Sequence, residues 1–301
     1  MPKRNRGFYF ALSNEVNIMI RDWKDTTIKR FLKEGRGQGE RELYRPWLQV
    51  QDIASQGRST RVFGNLTTKR VHHLLSDLQL NYFYLLEFDE QVFDIREQYP
   101  LLDFHEMGIS IDQGLEKKLF DAKTKVPHIF TISFLITRVD RNHNPFYEAR
   151  VIKASSELEK KATLERLELQ RRYFEKKNID FGIVTENEIN KQLSRNIGWA
   201  LSAYDLQDYP ELIGNYELLK TDLLQYLSVF KNVSFQHIFA KLEKSYQLKE
   251  GMSLILFKHL IATKKITMEL NQKIELTKKV GAYNVQVSEK LLDGENHAVS
   301  G

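Results

Sequence analysis

The hydrophobic and polar positions of the first two thirds of the chain predict alternating helices and strands. Residues 71–86 (VHHLLSDLQLNYFYLL) place leucine and aromatic side chains at helical spacing, and this spacing predicts a buried helix. Residues 91–102 predict a short strand. A nearly continuous apolar segment at residues 128–136 predicts a further strand, and after a polar turn residues 146–153 predict the next one.

A long charged helix is predicted after these strands. Residues 156–177 carry an apolar stripe at helical spacing. Ser155 or Ser156 can cap this helix, and Glu159 lies at the capping-box distance from Ser156. Residues 179–185 predict one more strand. A helix between two strands indicates a right-handed crossover, so we expect an α/β core in which a mixed sheet is flanked by helices.

The pattern becomes mostly helical after residue 186. Residues 235–245 and 252–263 predict two amphipathic helices, and residues 264–268 predict a short strand. Helix, turn, helix and strand in this order is typical of a winged helix. The expected organisation is a leader at residues 1–27, a first domain at 28–185, a second, mostly helical domain at 186–292 and a disordered tail at 293–301.

Composition narrows the class of protein. The 301 residues are enough for two domains, and 42% hydrophobic residues are too many for a globally disordered chain. The chain has no cysteine, which excludes a disulfide scaffold, a thiolate zinc site and a cysteine nucleophile. No apolar segment is long enough to cross a bilayer, and the N-terminal segment lacks the features of a signal peptide. We therefore expect a cytoplasmic protein without a membrane partner.

The charge is unevenly distributed along the chain. Residues 1–70 contain 15 Lys/Arg against 7 Asp/Glu, whereas the rest of the chain contains 30 against 33. A basic segment of this kind is either an ordinary solvated surface or a contact with a polyanion such as DNA. If it binds DNA, the side chains expected to contact phosphates are Arg36, Arg58, Arg61, Lys69 and Arg70. The balanced charge after residue 186 favours a protein partner for the second domain.

Several segments of residues 28–200, taken in order, resemble the TnsA subunit of heteromeric bacterial transposases. The resemblance is carried by KEGRGQG, YRPWLQVQD, GRSTRVFG, RVHHLLSDLQL, FDIREQYPLL and LERLELQRRYFEKKNIDFGIVTENEIN. It implies a restriction-endonuclease-like core followed by a winged-helix domain, and an enzyme that cuts the 5′ strand at each transposon end. It also implies double-stranded DNA, a TnsB-like DDE transposase and a TnsC-like AAA+ ATPase as partners.

The resemblance implies a Mg²⁺ site whose expected carboxylates this chain lacks. The family's helical Glu falls on Gln79, its strand Asp falls on Ser133, and the metal-ligating acceptor of the next strand falls on Val151. Of these catalytic positions, only the lysine two residues further on, Lys153, is retained in type. Gln and Ser offer neutral oxygens that compete poorly with water for Mg²⁺, and Val offers none.

Three functions follow from this combination. The first is a DNA-binding and scaffolding subunit that cuts weakly or not at all. The second is an active Mg²⁺-dependent nuclease with a relocated carboxylate site, although Asp77, Asp140 and Glu148 are poorly placed for it by helix and strand geometry. The third is a two-domain winged-helix regulator that binds DNA on its own.

Overall fold

The computed structural model describes residues 25–52, 58–112, 114–116, 119–120 and 128–287. Within them, the strands are β1 (Thr60–Phe63), β2 (Val71–Leu74), β3 (Val92–Pro100), β4 (Thr131–Val139), β5 (Pro145–Ile152), β6 (Asp180–Val184), β7 (Ile266–Thr267) and β8 (Gln286–Val287). The helices are α1 (Asp25–Lys33), α2 (Asp77–Phe88), α3 (Lys161–Lys176), α4 (Lys191–Leu201), α5 (Pro210–Ile213), α6 (Tyr216–Val229), α7 (Phe235–Tyr246) and α8 (Met252–Ala262).

The chain divides into two compact units. The first unit comprises Met1–Ser55 and Phe93–Ile183, and the second comprises Gln56–Val92 and Val184–Gly301. The expected leader at residues 1–27 falls almost wholly outside the described residues, and the expected tail at 293–301 falls wholly outside them. The domain boundaries at residues 185 and 292 stay a prediction.

The first unit is built on a sheet with the strand order β3-β4-β5-β6. Strands β4 and β5 pair antiparallel, with Leu135 opposite Ala149 and Thr137 opposite Tyr147. Residues 132–137 of β4 are all buried, which explains the continuous apolar segment in the sequence, because both faces of this strand are covered. The mixed sheet with flanking helices confirms the α/β expectation and is consistent with a restriction-endonuclease-like core.

Helix α3 begins later than its sequence predicts. Residues Ser155–Glu159 form a 3₁₀ helix, and α3 begins at Lys161 with Lys160 as an N-cap that makes no side-chain hydrogen bond. The predicted capping box of Ser156 and Glu159 is therefore wrong, since both residues belong to the preceding 3₁₀ turn. Buried side chains of α3, among them Leu167 and Phe174, pack in the same apolar cluster as residues of β4 and β5.

The segment at residues 71–86 is a strand followed by a helix, so the prediction of one continuous helix is wrong. Residues Val71–Leu74 pair antiparallel with Thr60–Phe63 to form a two-stranded hairpin. Helix α2 begins at Asp77, after Ser76, whose Oγ accepts a hydrogen bond from the backbone N–H of Gln79. The local helical spacing is overridden because the first four residues pair with a strand that begins 11 positions earlier.

The remainder of the second unit is mostly helical. Helices α6, α7 and α8 surround a large apolar cluster in which the rings of Phe235, Phe239 and Phe257 are in mutual contact. Strand β7 follows α8 and pairs antiparallel with β8. The predicted order of helix, turn, helix and strand is present, whereas the winged-helix identity stays a prediction. No helix among the described residues combines the length and apolar character that a bilayer crossing requires.

Candidate active site

Ser133 lies where the pairing of β4 with β5 ends. The last residue pair of that register is Phe134 with Arg150, and one further step brings Ser133 opposite Val151. Ser133 Oγ accepts a hydrogen bond from the backbone N–H of Ile152 at 2.9 Å. The hydroxyl therefore replaces the backbone carbonyl that would accept this hydrogen bond if the strand pairing continued. A buried backbone N–H without an acceptor would lower the stability of the fold.

Val151 lies in the apolar interior of the first unit. Its side chain is 4% exposed and belongs to the cluster that contains Leu135, Ala149 and Leu167. An isopropyl group in this environment offers no oxygen to a cation. The position at which the resemblance implies a metal-ligating acceptor is occupied here by a side chain that packs in the core.

Lys153 lies just beyond the end of β5 and is partly exposed. Its Nζ is 3.4 Å from Glu157 Oε1, in a pair four residues apart whose side chains are each more than a third exposed. Sequence reasoning missed Glu157, which the 3₁₀ helix Ser155–Glu159 brings next to the lysine. The four-residue spacing was the available signal, but it became informative only once the turn was known.

Gln79 belongs to the second unit and lies in the first turn of α2. It is 9% exposed, and its Oε1 accepts a hydrogen bond from the backbone N–H of Leu75 at 2.9 Å. Its own backbone N–H donates to Ser76 Oγ at 3.2 Å. This arrangement resembles a capping box, in which a Glu or Gln side chain at the third helical position bonds back to the residues before the helix.

Comparison with known proteins decides the family. Residues 89–186 match the family model described as the TnsA-like endonuclease N terminal, and residues 188–270 match the TnsA endonuclease C terminal. The Escherichia coli protein named transposon Tn7 transposition protein TnsA is 41% identical over 192 residues, which cover 64% of this chain and 68% of that protein. This chain belongs to the TnsA family. Ser133, Val151 and Lys153 lie inside the N-terminal match, and Gln79 lies ahead of it.

The side chains at the positions where the sequence analysis expects the metal ligands do not fit a Mg²⁺ ion. Mg²⁺ requires hard oxygen ligands and is usually held by at least one carboxylate. At the expected positions 79, 133 and 151 this chain has an amide, a hydroxyl and an isopropyl group, and the first two already accept backbone hydrogen bonds. In the part of the chain that the structure describes, no group of three or more His, Asp or Glu side chains is placed to hold a metal.

The other carboxylates that the sequence offered are either engaged elsewhere or exposed on a helix. Glu148 Oε2 lies 3.0 Å from Arg138 Nε and 3.3 Å from an amino group of Arg150. Asp140 accepts hydrogen bonds from Asn144 and Asn142 in the turn after β4, and the bonds from Asn144 lower the pKa of this carboxyl. Asp77 is exposed on α2, whereas Gln79 is buried. Glu157 is thus the carboxylate that the structure places in contact with Lys153.

A buried charged group on β3 was also missed from the sequence. Arg96 Nε lies 3.3 Å from Asp94 Oδ2, and an amino group of Arg96 donates to Thr137 Oγ1 on β4 at 3.1 Å. The guanidinium also lies over the rings of Tyr99 and Tyr147. Buried charges persist only when they are paired, so these contacts fix β3 against its neighbours. The sequence signal for this group was the segment DIREQ, in which Asp94 and Arg96 alternate along a predicted strand. In the structure all five of its residues are buried.

Two of the five predicted phosphate contacts lie in the interior. Arg36 is 6% exposed; its guanidinium bonds to Asp52 at 2.5 Å and to the Trp47 carbonyl at 3.1 Å, and it lies 3.5 Å above the Phe31 ring. Arg70 is 8% exposed and donates to the Val71 carbonyl. These surroundings fit structural roles, because a guanidinium with such partners is not presented to a phosphate.

The other three predicted contacts are on the surface of the second unit. Arg58 and Arg61 are exposed at the start of the β1–β2 hairpin. Lys69 is exposed in the connecting loop, where its Nζ donates to the Asn65 carbonyl and lies 4.8 Å from the centre of the Tyr204 ring. These three cations are therefore exposed in or next to the β1–β2 hairpin, where a polyanion can reach them.

Proposed function

We propose that this chain is a TnsA-type subunit of a transposition machine that binds and positions transposon-end DNA but cleaves it weakly or not at all. This proposal rests on the roles that the side chains at the three expected metal positions have in the structure. Ser133 and Gln79 use their oxygens to complete backbone hydrogen bonding, and Val151 packs in the core. Neutral oxygens that are already engaged do not replace carboxylates around Mg²⁺.

The partners that we propose are those of the family. Double-stranded DNA at the transposon ends would meet the cations Arg58, Arg61 and Lys69 of the hairpin. A TnsB-like DDE transposase would cut the 3′ strands, and a TnsC-like AAA+ ATPase would connect the complex to its target. In this arrangement the chain holds the transposon-end DNA in place, and strand cutting depends on its partners.

The direct test is a strand-nicking assay. The purified chain is incubated with its transposase and ATPase partners on a transposon-end duplex labelled on the 5′ strand, in Mg²⁺ or Mn²⁺. We expect little or no cutting of that strand by the wild type. The double variant Gln79→Glu, Ser133→Asp is expected to gain cutting, because each new carboxylate can still accept the backbone hydrogen bond that its predecessor accepts. Robust wild-type nicking that vanishes in Lys153→Ala would overturn the proposal.

The second candidate function is a nuclease with a relocated site, and the pair of Lys153 with Glu157 favours it. The test is a matched pair of variants in the same assay. Glu157→Gln removes the carboxylate beside the lysine, whereas Glu159→Gln changes an exposed glutamate of the same 3₁₀ helix. If nicking is present and only the first variant abolishes it, the relocated site is correct and the scaffolding proposal is wrong.

A further inference from the structure

Helix α4 has one buried side and one outer face on which the exposed charges are positive. Lys191 and Arg195 are exposed and lie one turn apart on the outer face. The sequence of the helix contains no acidic residue. Its buried residues, among them Ile197 and Leu201, lie on the other side and belong to the apolar cluster that includes α8. The helix therefore shows cations to solvent along one line.

The outer face of α4 continues into the turn that follows the helix. Trp199 and Ser202 come four and seven positions after Arg195, so their side chains lie on the same face. Lys258, on α8, reaches this point from another element. Its Nζ donates to Ser202 Oγ at 2.5 Å and lies 5.3 Å from the centre of the Trp199 ring. A third cation thus stands at the end of the line.

A second lysine reaches the same turn from the β1–β2 hairpin. Lys69 Nζ donates to the hydroxyl of Tyr204 at 3.3 Å and lies 4.8 Å from the centre of its ring. Tyr204 comes two residues after Ser202, so the two ammonium groups rest on one short stretch of chain. The outer face, the turn and both lysines all belong to the second unit.

The two lysines at the turn are held by neutral groups. Hydroxyls, a backbone carbonyl and aromatic ring faces surround their amines. Partial burial lowers the pKa of Lys258, because loss of water disfavours the charged ammonium. The C-terminal end of α4 attracts both lysines, but its dipole amounts to about half a negative charge against two positive ones. The turn therefore keeps a positive surplus, and an anion beside it would compensate Lys258 for its lost hydration.

The distribution of charge along the chain sets this surface apart. Residues 189–204 contain two basic residues and no acidic one, whereas residues 205–219 contain four acidic residues and no basic one. The balanced charge after residue 186, from which a protein partner was predicted, is thus an average over segments of opposite sign. Asp205 begins the acidic segment, and its Oδ1 accepts a hydrogen bond from the backbone N–H of Gln207 at 2.9 Å.

The length of the surface indicates what kind of anion it fits. Eleven helical residues separate Lys191 from Ser202, a distance of about 16 Å along the axis. Over that distance one strand of a duplex presents about five phosphates. Cations spaced along such a line, with hydroxyl groups at one end, are complementary to a row of phosphates rather than to a single one.

We propose that the outer face of α4 and the turn after it bind a row of backbone phosphates on one strand of the transposon-end duplex. Lys191 and Arg195 contact phosphates along the helix. Lys258 and Lys69 hold a phosphate at the turn, where the Ser202 hydroxyl can donate to it. The inference deepens the proposed function and rests on it, because it names the surface through which the chain would hold its DNA.

The test measures binding of the full chain to DNA by fluorescence anisotropy over a range of salt concentrations. The ligands are a transposon-end duplex and a duplex of random sequence and equal length. The double variant Lys191→Gln, Arg195→Gln is compared with Lys241→Gln, Lys244→Gln, which removes two exposed cations from α7 in the same unit. The two double variants lose the same charge, and thermal unfolding followed by circular dichroism checks that each is folded.

We expect the α4 double variant to bind both duplexes about tenfold more weakly than the wild type at a fixed salt concentration. Its salt slope should fall by about two units, because each lost phosphate contact removes about 0.9. The two duplexes should be affected equally, since phosphate contacts carry no sequence information. The α7 double variant should bind like the wild type.

The turn is tested separately through Lys258. Lys258→Met keeps an apolar chain beside the Trp199 ring and removes the charge, whereas Lys258→Arg keeps the charge. We expect the first to lower the salt slope by about one unit and the second to leave it unchanged. If Lys258→Met is poorly folded, Lys69→Gln at an exposed position tests the same turn and should lower the slope equally. An unchanged slope in the folded variant overturns the phosphate contact at the turn.

The outcomes separate this proposal from the proposed function. Wild-type binding that the α4 double variant leaves unchanged overturns this proposal alone, and the cations of α4 would then serve another partner, such as an acidic protein surface. Equal weakening by the α4 and α7 double variants also overturns it, because affinity would then depend on net charge and not on this face. A wild-type chain that binds neither duplex overturns the proposed function and this proposal together.

Discussion

The hydroxyl of Ser133 accepts a hydrogen bond from the backbone N–H of Ile152 at 2.9 Å and so closes the β4–β5 ladder at its end. In the TnsA family this strand position is expected to carry a metal-binding aspartate. Here the side chain at this position joins two strands, and its neighbour Val151 packs in the core. Ser133 and Val151 therefore stabilise the fold of this chain, whereas the same positions in its relatives are expected to serve in DNA cleavage.

Removal of this hydroxyl should destabilise the first unit. Ser133→Ala leaves the N–H of Ile152 without its acceptor at a position that is 7% exposed. The expected cost is about 1–3 kcal/mol, the penalty for an unsatisfied buried donor. Urea unfolding measures it, with Ser156→Ala at an exposed serine as the control. Equal stability of the two variants would show that the hydrogen bond contributes little.

The bond that Gln79 makes to the start of α2 predicts a contrast between two substitutions. Gln79→Ala loses the acceptor for the Leu75 N–H and should destabilise the protein by about 1 kcal/mol, typical of a lost cap. Gln79→Glu retains an acceptor there and should unfold within about 0.5 kcal/mol of the wild type. Thermal unfolding of both, beside Gln225→Ala at an exposed glutamine of α6, provides the comparison. A Glu variant as unstable as the Ala variant would refute the capping role.

Gly64 should tolerate no side chain, because the loop of the hairpin closes against it. A Cβ at this position would lie 2.5 Å from Thr68 Oγ1 and 2.9 Å from His72 Nε2. Both atoms belong to a buried pair that cannot move freely, so Gly64→Ala should cost about 1–3 kcal/mol. Gly214→Ala, whose added carbon would meet only the Pro210 carbonyl at 3.6 Å, is the matched control. Thermal unfolding should separate the two variants clearly.

The surface of α3 predicts a pH-dependent contribution to stability. Hydrogen bonds from Arg171, followed by those from Arg172, lower the pKa of Glu168 from 4.5 to about 2. A lowered pKa means that the charged form stabilises the fold, so the contribution is present above about pH 4.5 and is lost as the pH falls towards 2. Because the pair is partly exposed, Glu168→Gln should cost less than about 1 kcal/mol at pH 7. The difference from the wild type should shrink in urea unfolding at pH 3, and a difference that grows there would contradict the assignment.

The sequence predicted the elements whose signal is local and failed where the decisive partner is distant. Strand β4 was predictable because burial on both faces leaves a continuous apolar segment. Strand β2 was assigned to a helix because its four residues precede a genuine helix, and only pairing with Thr60–Phe63 makes them a strand. Arg36 was predicted to be a surface cation because its partner Asp52 lies 16 residues further along the chain, and the sequence does not show that the two side chains meet.

The candidate site was predictable to a similar extent. The expected roles of positions 79, 133, 151 and 153 follow from the family resemblance. The hydrogen bonds that engage Gln79 and Ser133 depend on where helix α2 begins and where the pairing of β4 with β5 ends. The contact between Glu157 and Lys153 depends on a 3₁₀ turn that the helical pattern concealed. Such contacts arise from backbone geometry, which residue types alone do not specify.

We expect that Gln79, Ser133 and Val151, where the resemblance implies metal ligands, do not hold a divalent cation. The most direct measurement is anomalous diffraction from crystals soaked in manganese chloride, with the Gln79→Glu, Ser133→Asp variant as the comparison. We expect no ordered manganese beside Ser133 or Gln79 in the wild type and a new site in the variant. An ordered ion at either residue of the wild-type protein would contradict this expectation and identify the chain as a working strand-cutting enzyme.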